Sequence, residues 1–159
     1  MEIDSLRAIP FLANLSDSEL TAFAALLESR DYKDGERILE EGTAPSAFQI
    51  VRDGVAHVRR RKPDGSERFL GRLGPGAFFA DINLFDPGVA TASIYAVGAT
   101  RVRMIPYVRF RAFMEENPRA GYHIAITMLG EVARRLRVSD ERLVNSNLVT
   151  EPIGTAWLG

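Results

Sequence analysis

The sequence contains no cysteine. Disulfides, thiolate zinc sites, iron–sulfur clusters and a cysteine nucleophile are excluded together. Histidine is nearly absent too: His57 and His123 are the only two, a poor basis for a histidine-built metal site. No sign of charge dominates, since 20 basic and 21 acidic residues leave a net charge of −1. A chain so balanced does not hold nucleic acid or an anionic membrane by bulk charge. No run of 18 apolar residues occurs, and Met1-Glu2-Ile3-Asp4-Ser5 opens on acidic residues without an apolar stretch behind it. Neither a transmembrane helix nor a signal peptide is expected, and a soluble cytoplasmic protein is the default. What is present is a 159-residue chain, 46% hydrophobic, enough for one domain that buries about two thirds of its unfolded surface.

The pattern changes twice along the chain. Ser16 and Glu19 stand at capping-box spacing, and Leu20, Phe23, Leu26 and Leu27 then form one face of a short amphipathic helix. From Arg30 to Pro106, short apolar runs alternate with turn signals such as Lys33-Asp34-Gly35, Asp53-Gly54, Pro63-Asp64-Gly65 and Gly74-Pro75-Gly76. Ala47–Val51 and Val55–Arg59 read as strands. No helix-length segment separates the strands, so the spacing predicts an antiparallel sandwich or small barrel and not a parallel sheet. After Pro106 a short helix runs from Val108 to Glu116 and stops before Asn117-Pro118. A long helix follows from Ala120 to about Leu148, with Leu129, Val132, Leu136 and Leu143 on a heptad-like seam that can pack on the sheet or pair with its copy in a second subunit. The expected layout is helices over 4–28, a β-roll over 30–106, helices over 107–148 and an irregular tail over 149–159.

Several segments carry a resemblance. They are Phe11–Ser16, Gly35–Leu39, Glu40-Glu41-Gly42, Asp53–Val58, Leu73–Phe79, Ile105-Pro106, Phe110–Phe113 and Ala133–Arg137. Together they resemble the cyclic nucleotide-binding domain family. The resemblance covers residues 5 to about 148. It implies N-terminal helices, an eight-stranded jelly-roll-type β-roll with a short helix in the ligand loop, and a C-terminal helix pair whose long member moves on ligand binding. In the bacterial catabolite activator group this domain precedes a DNA-binding winged helix. Only about ten residues follow the long helix here, so a sensor module without direct DNA binding or membrane contact is expected.

The resemblance also implies a phosphate cassette: a Gly-Glu pair opening a short helix, then an arginine, a small hydroxylated residue and an alanine. The corresponding loop here runs Ala80-Asp81-Ile82-Asn83-Leu84-Phe85-Asp86-Pro87-Gly88-Val89-Ala90-Thr91-Ala92-Ser93. Ala80 stands for the glycine, Asp81 for the glutamate and Ala90 for the arginine, whereas Thr91 and Ala92 match. No Lys, Arg or His occurs from Leu73 to Thr100. Loss of a partly buried arginine–phosphate pair costs about 2–5 kcal/mol, roughly 30- to 5000-fold in affinity. Three readings stay open: a retained fold without cyclic-nucleotide binding, a different ligand, or cAMP/cGMP held through a substitute cation, for which Arg68, Arg72 and Arg101 are the candidates. Amides of Ile82 and Asn83 with Thr91 would then hold the phosphate and Asp81 the ribose. On the long helix, Ser139 and Asp140 align with the two positions that reach the base.

Enzymatic readings fare worse. A cupin-like metal site needs converging histidines, and His57 on a strand and His123 on a late helix are not placed to converge. Glu40-Glu41 and Glu115-Glu116 are adjacent in sequence and point apart. Arg134-Arg135 with Arg137 reads as the solvated flank of the long helix. Arg59-Arg60-Arg61-Lys62 reads as an exposed strand end, or as a docking patch for an acidic partner. The sequence therefore predicts a mainly β, non-enzymatic regulatory module without a cofactor. It is expected to be a homodimer, with a protein partner or a small nucleotide as further possibilities.

Overall fold

The computed structural model describes residues 2–145; the expected tail, 149–159, lies outside them. The chain begins with α1 (Glu2–Arg7), a 3-10 turn at Pro10–Leu12 and α2 (Asp17–Ala24). The capping box of α2 is complete: the Ser16 hydroxyl accepts from the Glu19 amide and the Glu19 carboxylate accepts from the Ser16 amide. The strands are β1 (Glu28–Tyr32), β2 (Arg37–Leu39), β3 (Ala47–Arg61), β4 (Glu67–Leu73), β5 (Phe78–Phe79) and β6 (Ser93–Pro106). α3 (Ile82–Phe85) interrupts the loop before β6, and α4 (Tyr107–Glu116) and α5 (Pro118–Asn145) close the chain.

All pairings are antiparallel, in the order β1-β6-β3-β4, with β2 added to β6 and β5 to β3. Six described strands make the roll, where the resemblance implies eight, because β3 and β6 run unbroken through 15 and 14 residues. Asp53-Gly54, expected as a turn between two strands, is instead an irregularity inside β3: the β3–β6 register slips on both sides of Asp53. Gly54 has φ +86°, and a Cβ there would lie 2.4 Å from the Ala99 carbonyl oxygen. Only glycine lets the two long strands bend together at that point.

Two apolar cores result. One fills the roll with Val51, Ala56, Phe79, Ile94 and Val102. The other joins the helices to the outer face of the roll around Phe11, Phe23, Phe48, Phe110 and Phe113. Phe11 meets Phe48 and Phe78 edge-on at 5.3 and 5.1 Å, and Phe110 meets Phe23 and Phe48 at 5.3 and 5.2 Å. Such pairs add about 0.5–1.5 kcal/mol each beyond burial, so the 3-10 turn and α4 are fastened to β3 by one ring network. Phe78 belongs to this network and also faces the ligand loop.

Gly54→Ala is expected to lower stability by at least about 2 kcal/mol, combining left-handed strain with the clash on Ala99. Urea unfolding measures it; an unchanged midpoint contradicts the close approach.

Candidate functional site

The roll core opens at one end into a cavity of about 340 Å³. Leu39, Val58, Leu73, Phe79 and Ile94 form its apolar wall. The cassette forms the other: Ala80, Asp81, Ile82, Asn83, Ala90, Thr91 and Ala92 all line this one space. Ser139 and Asp140 do not. Ser139 is exposed on α5, one turn beyond Arg135.

None of the three arginines considered as substitute cations reaches the cavity. Arg72 stands opposite His57, whose ring packs edge-on against Phe69 at 4.9 Å. Arg68 stands opposite Arg60. Arg101 is spent in a two-point pair with the Asp31 carboxylate, at 2.6 and 3.1 Å. Strand alternation explains Arg72: its pairing partner His57 follows Ala56, which is buried in the roll, so successive residues leave on opposite faces.

The cation that does line the cavity is Arg135, which the sequence pattern places on a solvated helix flank. Its Nη1 donates to Asp81 Oδ2 at 3.1 Å, and its guanidinium lies 5.8 Å from the Phe78 ring centroid. Glu131, one turn earlier, approaches its Nε at 3.6 Å. Arg134 first, then Arg135, hold the Glu131 carboxyl below the usual carboxylate range. Arg135 and Asp81 are 54 residues apart in sequence, so no local spacing announces them. The available signal is positional: Arg135 is one turn before Ser139 on the helix face expected to look at the ligand.

The cassette backbone is held from α4. The Tyr107 hydroxyl donates to the Ala80 carbonyl at 2.6 Å, and Arg111 donates twice to the Leu84 carbonyl, at 3.0 and 2.8 Å. Asn83 Nδ2 closes the loop onto the Gly88 carbonyl at 2.9 Å. Ala80 has φ +57°, the only described non-glycine residue with positive φ. Alanine thus occupies a left-handed position that suits glycine, at a cost of about 1 kcal/mol. α3 is a single turn of four residues, too short to project a useful dipole toward an anion. Among the described residues no cluster of His, Asp and Glu suits a metal, and no helix is long and apolar enough to cross a membrane.

The structure is an antiparallel β-roll whose interior opens onto a short-helix loop, with Arg135 of the long helix lining the opening. The cyclic nucleotide-binding domain matches residues 29–117, and the chain belongs to that family. The CRP-like cAMP-activated global transcriptional regulator of Mycobacterium tuberculosis is 28% identical over 128 residues, 80% of this chain and 55% of that protein. The cyclic AMP receptor protein of Thermus thermophilus is 28% identical over 138 residues, 87% of this chain and 62% of that one. Among solved structures, Thermus thermophilus catabolite activator protein superposes with a TM-score of 0.79 at 28% identity, covering 87% of this chain and 63% of that one. The N-terminal domain of a Streptomyces coelicolor A3(2) transcriptional regulator superposes with a TM-score of 0.73 at 26% identity, covering 95% of this chain and 100% of that one. This chain spans little more than half the length of the Mycobacterium and Thermus relatives.

Burial first, then the negative charge of Asp81, pushes the Tyr107 hydroxyl up to about 12, with Arg111 pulling the other way. The folded value exceeds the roughly 10 of an unfolded tyrosine. Its contribution to stability is therefore complete below pH 10 and is lost as pH rises toward 12. Absorbance titration should show one of the four tyrosines ionising near 12, missing in Tyr107→Phe. The variant should also lose less stability than the wild type between pH 10 and 12; equal losses contradict the assignment.

Proposed function

We propose that this chain is a non-enzymatic regulatory module of the cyclic nucleotide-binding type that does not hold cAMP or cGMP at second-messenger concentrations. It acts through a homodimer built on α5, or through a protein partner. One observation carries this reading: among the described residues Arg135 is the only cation lining the cavity, and it already donates to Asp81, with Glu131, which Arg134 also holds, 3.6 Å from its Nε. Ala90 occupies the position where the family resemblance implies an arginine, and its side chain is buried. A cyclic phosphate placed here meets no uncommitted positive charge and lies near the Asp81 carboxylate. The expected deficit is the 2–5 kcal/mol of a lost charge-assisted pair, about 30- to 5000-fold. The names of the relatives describe regulators, consistent with a non-catalytic role.

The dimer rests on α5. Its first part is anchored by the buried Ala120, Gly121, Ile124 and Met128. Beyond them runs the stripe of Leu129, Val132, Leu136 and Leu143, in which Leu129 is 65% and Leu136 39% exposed. Leucines left in water at heptad spacing are what a second copy of the helix would cover.

A second reading is favoured by the presence of Arg135 in the cavity at all. In it, Arg135 leaves Asp81 for the phosphate and Asp81 takes the ribose hydroxyl, giving a functional cAMP or cGMP sensor.

Calorimetry of refolded, nucleotide-stripped protein separates the two. The first reading expects no heat with cAMP or cGMP up to millimolar ligand. Micromolar binding that disappears in Arg135→Ala would establish the second instead. Sedimentation equilibrium should give a dimer for the wild type and a folded monomer for Leu129→Glu/Leu136→Glu. A wild type that stays monomeric at high protein concentration removes the dimer.

A further inference from the structure

A second cavity, about 270 Å³, lies between α1, the Pro75-Gly76 turn and strands β3 and β6. It shares no lining residue with the cassette cavity, so a ligand held here is independent of whether the cassette binds a cyclic nucleotide. Its floor carries Arg103, mid-strand in β6 between Ile50 of β3 and Ser29 of β1. Arg103 is 4% exposed and is the one buried cation among the described residues. A buried guanidinium brings a full charge and five N–H donors out of water, and each donor left unmet is costly.

Those donors are only partly met. Nη2 pairs with the Glu2 carboxylate at 3.0 Å, and Nη1 reaches the Ser5 hydroxyl at 3.4 Å. Nε is buried and has no partner among the described residues. Arg52 lines the same cavity and adds a second guanidinium. The carboxylates nearby, Glu2 on Arg103 and Asp53 at 3.5 Å from Arg52, are 56% and 67% exposed, so both pairs are screened by water. Burial first, then the charge of Arg52, weakens the hold of Arg103 on its proton. The remaining walls are apolar, from Ala8, Ile9, Ile50, Val51 and Pro75.

We propose that this cavity binds a small organic carboxylate. The carboxylate accepts from the guanidinium groups of Arg103 and Arg52 that line the cavity, and a ring or short chain lies against Ile9, Ile50 and Pro75. An inorganic oxyanion would leave the apolar walls uncovered. A neutral compound of the same shape would leave the two positive charges unanswered. Glu2 already shows that Arg103 pairs with a carboxylate at ordinary ion-pair distance, donating from Nη2.

The test is an amide NMR titration of the whole chain with benzoate, with benzyl alcohol and inorganic phosphate as comparisons. Benzoate should give saturable shifts at Arg52, Gly76 and Arg103 and at the Arg103 Nε–H, with both comparison compounds at least about tenfold weaker. Arg103→Lys keeps the charge but removes the fork and should lose binding. Arg52→Ala changes a side chain 41% exposed, so the fold should survive while benzoate weakens at least about tenfold. No saturable shift at tens of millimolar benzoate overturns the proposal. So does phosphate binding as tightly as benzoate, or a folded Arg52→Ala with unchanged affinity.

Discussion

Asp81 is a carboxylate taken almost wholly out of water, and Arg135 is the cation that answers it, at 3.1 Å. Removing one member of such a pair leaves a buried polar group unmet, which costs about 1–3 kcal/mol or more. The pair joins parts of the chain that no other side-chain hydrogen bond joins among the described residues: the turn before α3 and the middle of α5. α4 supplies the rest of the frame, through Tyr107 on the Ala80 carbonyl and Arg111 on the Leu84 carbonyl. The ligand loop is thus held from the C-terminal helices at three points. A ligand that drew Asp81 and Arg135 apart would remove one of the three ties between the loop and the C-terminal helices, while the first part of α5 stays anchored by Ala120, Gly121, Ile124 and Met128.

The same pair governs the electrostatics of the cavity. Arg135 is paired with Asp81 and shares Glu131 with Arg134, and the lining position that the resemblance would make basic is the methyl of Ala90. The carboxylate of Asp81 reaches one methylene less far than the glutamate it replaces. Ala80 retains the left-handed backbone of a glycine position although it is not glycine, so the loop keeps its shape under mild strain. The loop keeps its backbone shape while Ala90 brings no charge to it, which is the basis of the proposed loss of cyclic-nucleotide binding.

Much of this was legible in the sequence, for identifiable reasons. Ser16 and Glu19 announce a helix start by local chemistry, and the structure completes that box. Residues 80–83 and 90–92 gather around one cavity because they are the two ends of a single loop. The failures are long-range or concern strand irregularity. Asp53-Gly54 carries a turn signature, but pairing with β6 on both sides keeps β3 continuous and turns the signal into a bulge. Arg68, Arg72 and Arg101 are near the loop in sequence, yet their strand positions take them away from the cavity. Arg135 reaches it from a helix whose period reveals only which face is apolar. Nothing local marks Arg103 between Val102 and Met104, because its neighbours on β1 and β3, and hence its burial, come from pairing alone.

Calorimetric titration of an Ala90→Arg variant with cAMP is the most direct measurement of whether the missing cation is what separates this cavity from a cyclic-nucleotide site. Ala90 is buried against the loop at Gly42 and Thr43 and its side chain lines the cavity, so an arginine there starts from the right place. If the deficit is the absent charge, the variant binds cAMP at least about 30-fold more tightly than the wild type. A folded Ala90→Arg protein that binds no better than the wild type would show that the cavity lacks something other than a cation, and would contradict the proposed role of the missing charge.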